Sequence, residues 1–225
     1  MARSLRTDIG GQIYHVLNRA NAKVKIFDNE NDYRLFEKLL EGATTKYEVK
    51  IYAYCVMPNH WHILLKTKKD GELSKFMSWL TNTHTKKWHS LRETTGEGHL
   101  YQGRYKSFIC QDNDYFLTLV RYIERNPKKA NLVPNSEDWK WSSVWRRTKG
   151  DRQKKNLLSP WILKEPENYL FFLNEPQTEQ ELAKIEHAIK KGSPYGNDHW
   201  TIRIAKKFNL QSKLRNVGRP KKDGL

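Results

Sequence analysis

The chain has 225 residues, room for one large domain or one domain with a small appendage. Hydrophobic residues make up 37%, enough for a real core, while 41 Lys+Arg against 25 Asp+Glu leave a formal charge of +16, which points to a polyanionic partner and to nucleic acid first. No apolar run reaches the roughly 18 residues a membrane span needs, and the N-terminus lacks the apolar stretch of a signal peptide, so no membrane partner and a cytoplasmic location are expected.

Residues 12–18 read as a first strand, and apolar Tyr33, Phe36, Leu39, Leu40 and Ala43 recur at helical spacing over about 31–45. Residues 49–57 alternate, with Val49, Ile51, Ala53, Cys55 and Met57 expected on one face and Lys50, Tyr52 and Tyr54 on the other. Pro58-Asn59 signals a turn, and residues 60–66 alternate again with Trp61, Ile63 and Leu65 on one face, so the two segments read as a hairpin. A second helical pattern carries Leu73, Phe76, Met77 and Leu80 and extends to Trp88; residues 104–110 follow as a fourth strand. The segment 113–125 is a helix with Phe116, Leu119, Val120 and Ile123 inward, and Asn126-Pro127 is expected to end it. The order βαββαβ plus one helix predicts an α+β fold, a ferredoxin-like sandwich with an antiparallel sheet and an extra helix. Residues 1–148 would form the main domain. Residues 149–225 would be a basic helical appendage with a flexible tail. Within it, Thr178 and Glu181 are spaced as a capping box opening a helix to about Lys191, Gly192 breaks that helix, and Asp198 caps another to about Phe208. Those two helices also fit, loosely, a helix-turn-helix module. Cys55 and Cys110 are too few for a disulfide scaffold or a cysteine zinc site and read as buried and reduced.

His60-Trp61-His62 is the sharpest local feature. Residues two apart on a strand share a face, so both imidazoles point one way while Trp61 turns to the other. Two nitrogen donors on a stiff element are half of a divalent-metal site; two ordinary histidines on a solvated face have the same spacing. Tyr122 and Asn126 are i,i+4 on one helix face, where an asparagine carbonyl oxygen suits a hard cation such as Mg²⁺ or Mn²⁺ and a phenolate beside it suits attack on a phosphate. A tyrosine with a pKa of about 10 needs a neighbouring cation for that role. Tyr115, seven residues earlier, is the rival nucleophile, and Tyr105 reads as packing or DNA contact. His15 reads as a structural histidine. Arg104, Lys106, Arg121 and Arg125 are candidate phosphate contacts, each also readable as a solvated charge. Gly218-Arg219-Pro220 has the core of an AT-hook, making Arg219 a candidate minor-groove residue.

Met57-Pro58-Asn59-His60-Trp61-His62, then Gln102-Gly103-Arg104-Tyr105, then Arg121-Tyr122-Ile123-Glu124-Arg125-Asn126-Pro127 together resemble the single-tyrosine HUH transposases of the IS200 type, with the REP-associated branch the nearest in pattern. The resemblance spans roughly residues 8–148. It implies an enzyme that binds a DNA hairpin and cuts adjacent single-stranded DNA, with a divalent ion on the HUH pair and a helix-borne tyrosine that forms a 5′-phosphotyrosine and frees a 3′-OH. His60 and His62 match the pair and Tyr122 the nucleophile. Asn126 matches the third ligand, a glutamine in the IS200 branch. The resemblance leaves room for a homodimer, since IS200-type relatives exchange the tyrosine helix between subunits. Neutral histidines are needed for metal binding, so activity is expected to fall below about pH 6. A non-catalytic nucleic-acid-binding sandwich and a metal hydrolase without a covalent intermediate are the competing readings.

Overall fold

A computed structural model of the chain describes residues 7–150 and 156–214. Strands β1 (Ile13–Arg19), β2 (Val49–Met57), β3 (His60–Thr67) and β4 (Lys106–Cys110) form one antiparallel sheet in the order β2-β3-β1-β4. With helices α1 (Glu30–Lys46) and α2 (Glu72–Leu91) in the crossovers, this is the ferredoxin-like α+β topology expected from the element order. A capping box closes the start of α1, with Asn29 and Asp32 each accepting from the other's backbone N–H.

The sheet separates two hydrophobic layers. Trp61, Ile63 and Leu65 of β3 face α1 and α2, where they pack with Phe36, Leu40, Phe76 and Leu80. Leu64 faces the other way, towards helix α3 (Asp114–Glu124), whose Phe116, Leu119, Val120 and Ile123 form the second layer with Ala53, Cys55 and Met57. Strand β2 departs from the single alternation read from its sequence. A bulge between Ile51 and Ala53 inserts Tyr52 as an extra residue, so Val49 and Ile51 pack with the α1/α2 layer while Ala53, Cys55 and Met57 pack with α3. The inserted residue shifts the parity of everything after it.

Helix α3 ends at Glu124 with Arg125 as its C-cap, just before Asn126-Pro127 as expected. Arg125 keeps helical dihedrals, and a short helix α4 (Asn126–Lys129) continues beyond it. Proline is tolerated there because it sits in the first turn, where its missing N–H costs no intrahelical bond. Helix α5 (Ser143–Thr148) follows, capped by the Ser142 hydroxyl.

The later residues fold back onto both layers. Helix α6 (Tyr169–Asn174) and helix α7 (Glu179–Lys191) bury Tyr169, Leu173, Ile185 and Ala188 against the α3 layer. Helix α8 (Asp198–Lys207) adds Ile204 and Ala205 to the α1/α2 layer, so the two C-terminal helices attach to opposite sides of the sheet. The Thr178–Glu181 capping box forms, and Gly192 ends α7 in the left-handed region at φ 66°, a conformation glycine adopts without steric cost. Both cysteines are buried free thiols. No helix among the described residues is long and apolar enough to cross a membrane. Arg219 and the segment around it lie outside the described residues.

Candidate active site

Opposed residues on neighbouring antiparallel strands share a face, so the register defines what surrounds the histidine pair. His62 lies in a row with Cys55, Leu17 and Lys106; His60 lies in a row with Met57 and Arg19. The imidazoles thus sit on the α3 side of the sheet, on β3, an interior strand. Trp61 is fully buried on the opposite side, where its indole N–H donates to Tyr101 Oη at 3.0 Å. That anchor fixes the pitch of the strand and with it the direction of both histidines.

Each imidazole is held through Nδ1. His60 Nδ1 bonds to the Asn59 side-chain oxygen at 2.7 Å, and His62 Nδ1 bonds to His15 Nε2 at 2.9 Å. Both Nε2 atoms are left without a protein hydrogen bond among the described residues. The rings of His60 and His62 lie 5.1 Å apart, centre to centre. Burial is the first cause that lowers the pKa of both, with Arg19 adding positive charge. His60 comes down to about 4 and His62 goes well below its usual value, so both are neutral at physiological pH.

The α3 helix brings Tyr122 to this pair. Asn113 caps the helix by accepting from the Tyr115 N–H, and the apolar stripe docks on the sheet. The Tyr122 ring then stands edge-on to His62 at 5.8 Å and to His15 at 6.2 Å, all within one chain. Burial, with the Glu186 carboxylate second, pushes the Tyr122 phenol up to about 12. Asn126, one turn further, donates its side-chain amide N–H to the Tyr122 carbonyl at 2.7 Å, and its side-chain Oδ1 has no protein donor among the described residues. Two neutral imidazole Nε2 atoms and an amide oxygen are a donor set that suits a borderline or hard divalent cation. Among the described residues no cluster of three or more His, Cys, Asp and Glu side chains is arranged to hold a metal.

The rival tyrosines sit elsewhere. Tyr115 packs edge-on to Tyr195 at 5.1 Å, and Tyr105 is buried in the α1/α2 layer. His84 is a core residue bonded to Tyr101.

The candidate phosphate contacts scatter. Lys106 is exposed and shares the face of the histidines. Arg104 instead lines a cleft of about 620 Å³ between α2 and the loop 98–105, with Ser74, Ser78, Asn82 and Gln102. Arg125 is partly buried, its Nε without a partner. Arg121 is buried: it donates to Glu181 at 2.7 Å and its guanidinium lies 4.2 Å from the centre of the Phe172 ring. The capping glutamate of α7 therefore also neutralises Arg121, which ties α3 to the C-terminal helices.

Arg19 escaped the sequence reading, and His15 was read only as a structural histidine. Arg19 opposes His60 on the same sheet face, exposed and free of an ion-pair partner among the described residues. His15 is fully buried against His62. Both depend on the β1/β3 register, which no local pattern encodes.

Residues 9–126 match the family model for IS200-like transposases. No curated protein matches the chain. Among solved structures, a REP-associated tyrosine transposase bound to a REP hairpin is 17% identical, with a TM-score of 0.56 over 80% of this chain and 100% of that one, and it shares the fold. A transposase-type protein of Deinococcus radiodurans R1 is 18% identical over 56% of this chain and 95% of its own, at a TM-score of 0.39. With more than half of its length matched by the family model, and the sheet, the histidine pair and the helix-borne tyrosine all falling inside that match, the chain belongs to the IS200-like transposase family.

Proposed function

We propose that this chain is a metal-dependent, single-stranded DNA nicking and strand-transfer enzyme that recognises hairpin DNA and acts through a 5′-phosphotyrosine on Tyr122. The reading places it with the REP-associated branch. Residues 1–148 are its catalytic unit and 149–225 an appendage. The observation that carries the reading is the meeting of Tyr122 with His62 on a strand whose two imidazoles are neutral and whose Nε2 atoms are unclaimed.

His60, His62 and Asn126 would hold Mg²⁺ or Mn²⁺, which when bound supplies a Lewis acid for a phosphoryl oxygen. Tyr122 Oη attacks the phosphorus, the bond from phosphorus to the 3′ oxygen breaks, and the phenol proton leaves while the 3′ oxygen takes one up. A phenol with a pKa of about 12 is almost wholly protonated at neutral pH, so its proton must leave as the new bond forms. Positive charge nearby favours that step, and Arg19 and Lys106 stand on the same face to bind the phosphates flanking the reacting one. The phosphotyrosine keeps the energy of the broken bond, so the freed or an incoming 3′-OH reverses the step without a nucleotide cofactor. Arg104 and Arg125 bind the strand further out, and Arg219 adds minor-groove affinity.

The test mixes the protein with Mg²⁺ or Mn²⁺ and hairpin-rich circular single-stranded DNA and resolves products on denaturing gels. Nicked DNA with a protein-linked band, lost in Tyr122→Phe and with chelator, is expected. Nicking that persists in Tyr122→Phe contradicts the covalent reading. Tight binding with no nicking on hairpins taken from beside the chain's own gene favours a binding module.

A further inference from the structure

We infer that His15 is a positioning residue of the active site, whose Nε2 clamps the His62 ring through Nδ1 and so presents His62 Nε2 to the cation. The inference rests on the metal reading above. It starts from a polar ring where the fold offers an apolar niche. His15 lies in the middle of β1 at zero exposure, edge to edge with His62 and nearly coplanar with it, ring centres 5.1 Å apart and planes 2° from parallel, with Phe108 edge-on at 4.9 Å and Tyr122 at 6.2 Å.

Packing alone is a poor explanation for such a residue. His15 Nδ1 is buried without a hydrogen-bond partner, and an unpaired buried polar atom is destabilising. A phenylalanine would fill the niche without that cost. What the nitrogen at the other end of the ring provides is the 2.9 Å bond to His62.

That bond has two neutral forms. In one, His15 Nε2–H donates to His62 Nδ1, and the second His62 proton site, Nε2, is occupied. In the other, His62 Nδ1–H donates to His15 Nε2, and His15 carries its proton on Nδ1. The number of protons is the same in both. Only the second form leaves the lone pair of His62 Nε2 free for a cation. An imidazole can serve as donor or acceptor through the same nitrogen, so His15 holds the His62 ring in both forms and lets it change tautomer without turning. His60, held by the Asn59 oxygen, is restricted to the Nδ1–H form from the outset, because that acceptor cannot donate.

The experiment uses the full chain and three proteins: wild type, His15→Phe, which keeps a ring without nitrogen, and His15→Gln, which keeps a reversible amide near the Nε2 position. Mn²⁺ binding is followed by calorimetry. Hairpin DNA binding is measured in chelator, a readout that damage to the fold would move. His15→Phe is expected to weaken Mn²⁺ binding roughly 10–100-fold, the range for removing a hydrogen-bond partner behind a metal-ligating histidine, with His15→Gln within about threefold of wild type and DNA affinity unchanged in both. Metal-free wild type, labelled with ¹⁵N-histidine, should also show one exchange-protected ring N–H shared between His15 and His62, absent from His15→Phe. Unchanged Mn²⁺ affinity in His15→Phe, or no protected ring N–H in wild type, would overturn the inference. Wild type that binds no Mn²⁺ would instead contradict the metal reading, and the protected proton would still decide the role of His15.

Discussion

His60 and His62 bind nothing by themselves; their usefulness comes from what holds the other side of each ring. Asn59 and His15 occupy the two Nδ1 atoms, and Arg19 stands opposite His60 with no carboxylate partner among the described residues. An exposed, unpaired arginine in that row is placed for a phosphate. Arg19→Ala should slow nicking roughly 10–100-fold, the cost of about 1.5–3 kcal/mol for a hydrogen bond to a charged group. It should also reduce the salt dependence of DNA binding by about one phosphate contact, measured by titration at several salt concentrations. An unchanged rate and salt slope would remove Arg19 from the site. The shared face of His60 and His62, and that of Tyr122 and Asn126, were legible because spacing along one strand or one helix decides them. His15 and Arg19 were not legible, since their place depends on a pairing between strands more than forty residues apart.

At the scale of elements, helix α3 is held from two sides. Its buried Glu124 accepts from Ser143, Arg147 and Tyr169, joining the helix of Tyr122 to α5 and α6. Its Arg121 pairs with the capping Glu181 of α7. Glu124→Ala removes the acceptor and leaves Arg147 facing a pocket without its anion, so it should cost about 3–5 kcal/mol in chemical denaturation. Arg121→Ala should cost less, about 2 kcal/mol, because Glu181 is partly exposed, and it should leave the salt dependence of DNA binding unchanged. A reduced salt slope in Arg121→Ala would restore it as a phosphate contact. Arginine beside a candidate nucleophile reads from sequence as a DNA residue, and only the return of α7 shows a carboxylate waiting for it. The same limit explains the bulge at Tyr52 and the helix α6, whose apolar run Tyr169–Leu173 has too few turns to show a period. The long helices and strands were legible because their apolar patterns repeat.

Across the whole molecule, burial of neutral histidines links stability to pH. His15 and His84 titrate near 3 and His60 near 4 in the folded chain, against 6.5 for an ordinary histidine. Between those values the unfolded chain holds more protons than the folded one. Stability is therefore full above about pH 6.5 and falls as the pH drops, by roughly 1.4 kcal/mol per unit for each such histidine. In chelator, the denaturation midpoint should decline steeply from pH 7 to pH 5, with net proton uptake on unfolding. A flat profile would mean that these rings are not buried as described. The +16 charge acts at the same scale, favouring association with a polyanion.

The account turns on which tyrosine becomes linked to DNA. After reaction with hairpin-bearing single-stranded DNA, nuclease and protease digestion followed by mass spectrometry locates the nucleotide-bearing residue. The account predicts a 5′-linked nucleotide on Tyr122, in the peptide that also carries Asn126. A nucleotide on Tyr115 or any other tyrosine, or nicked DNA with no modified peptide, would contradict it.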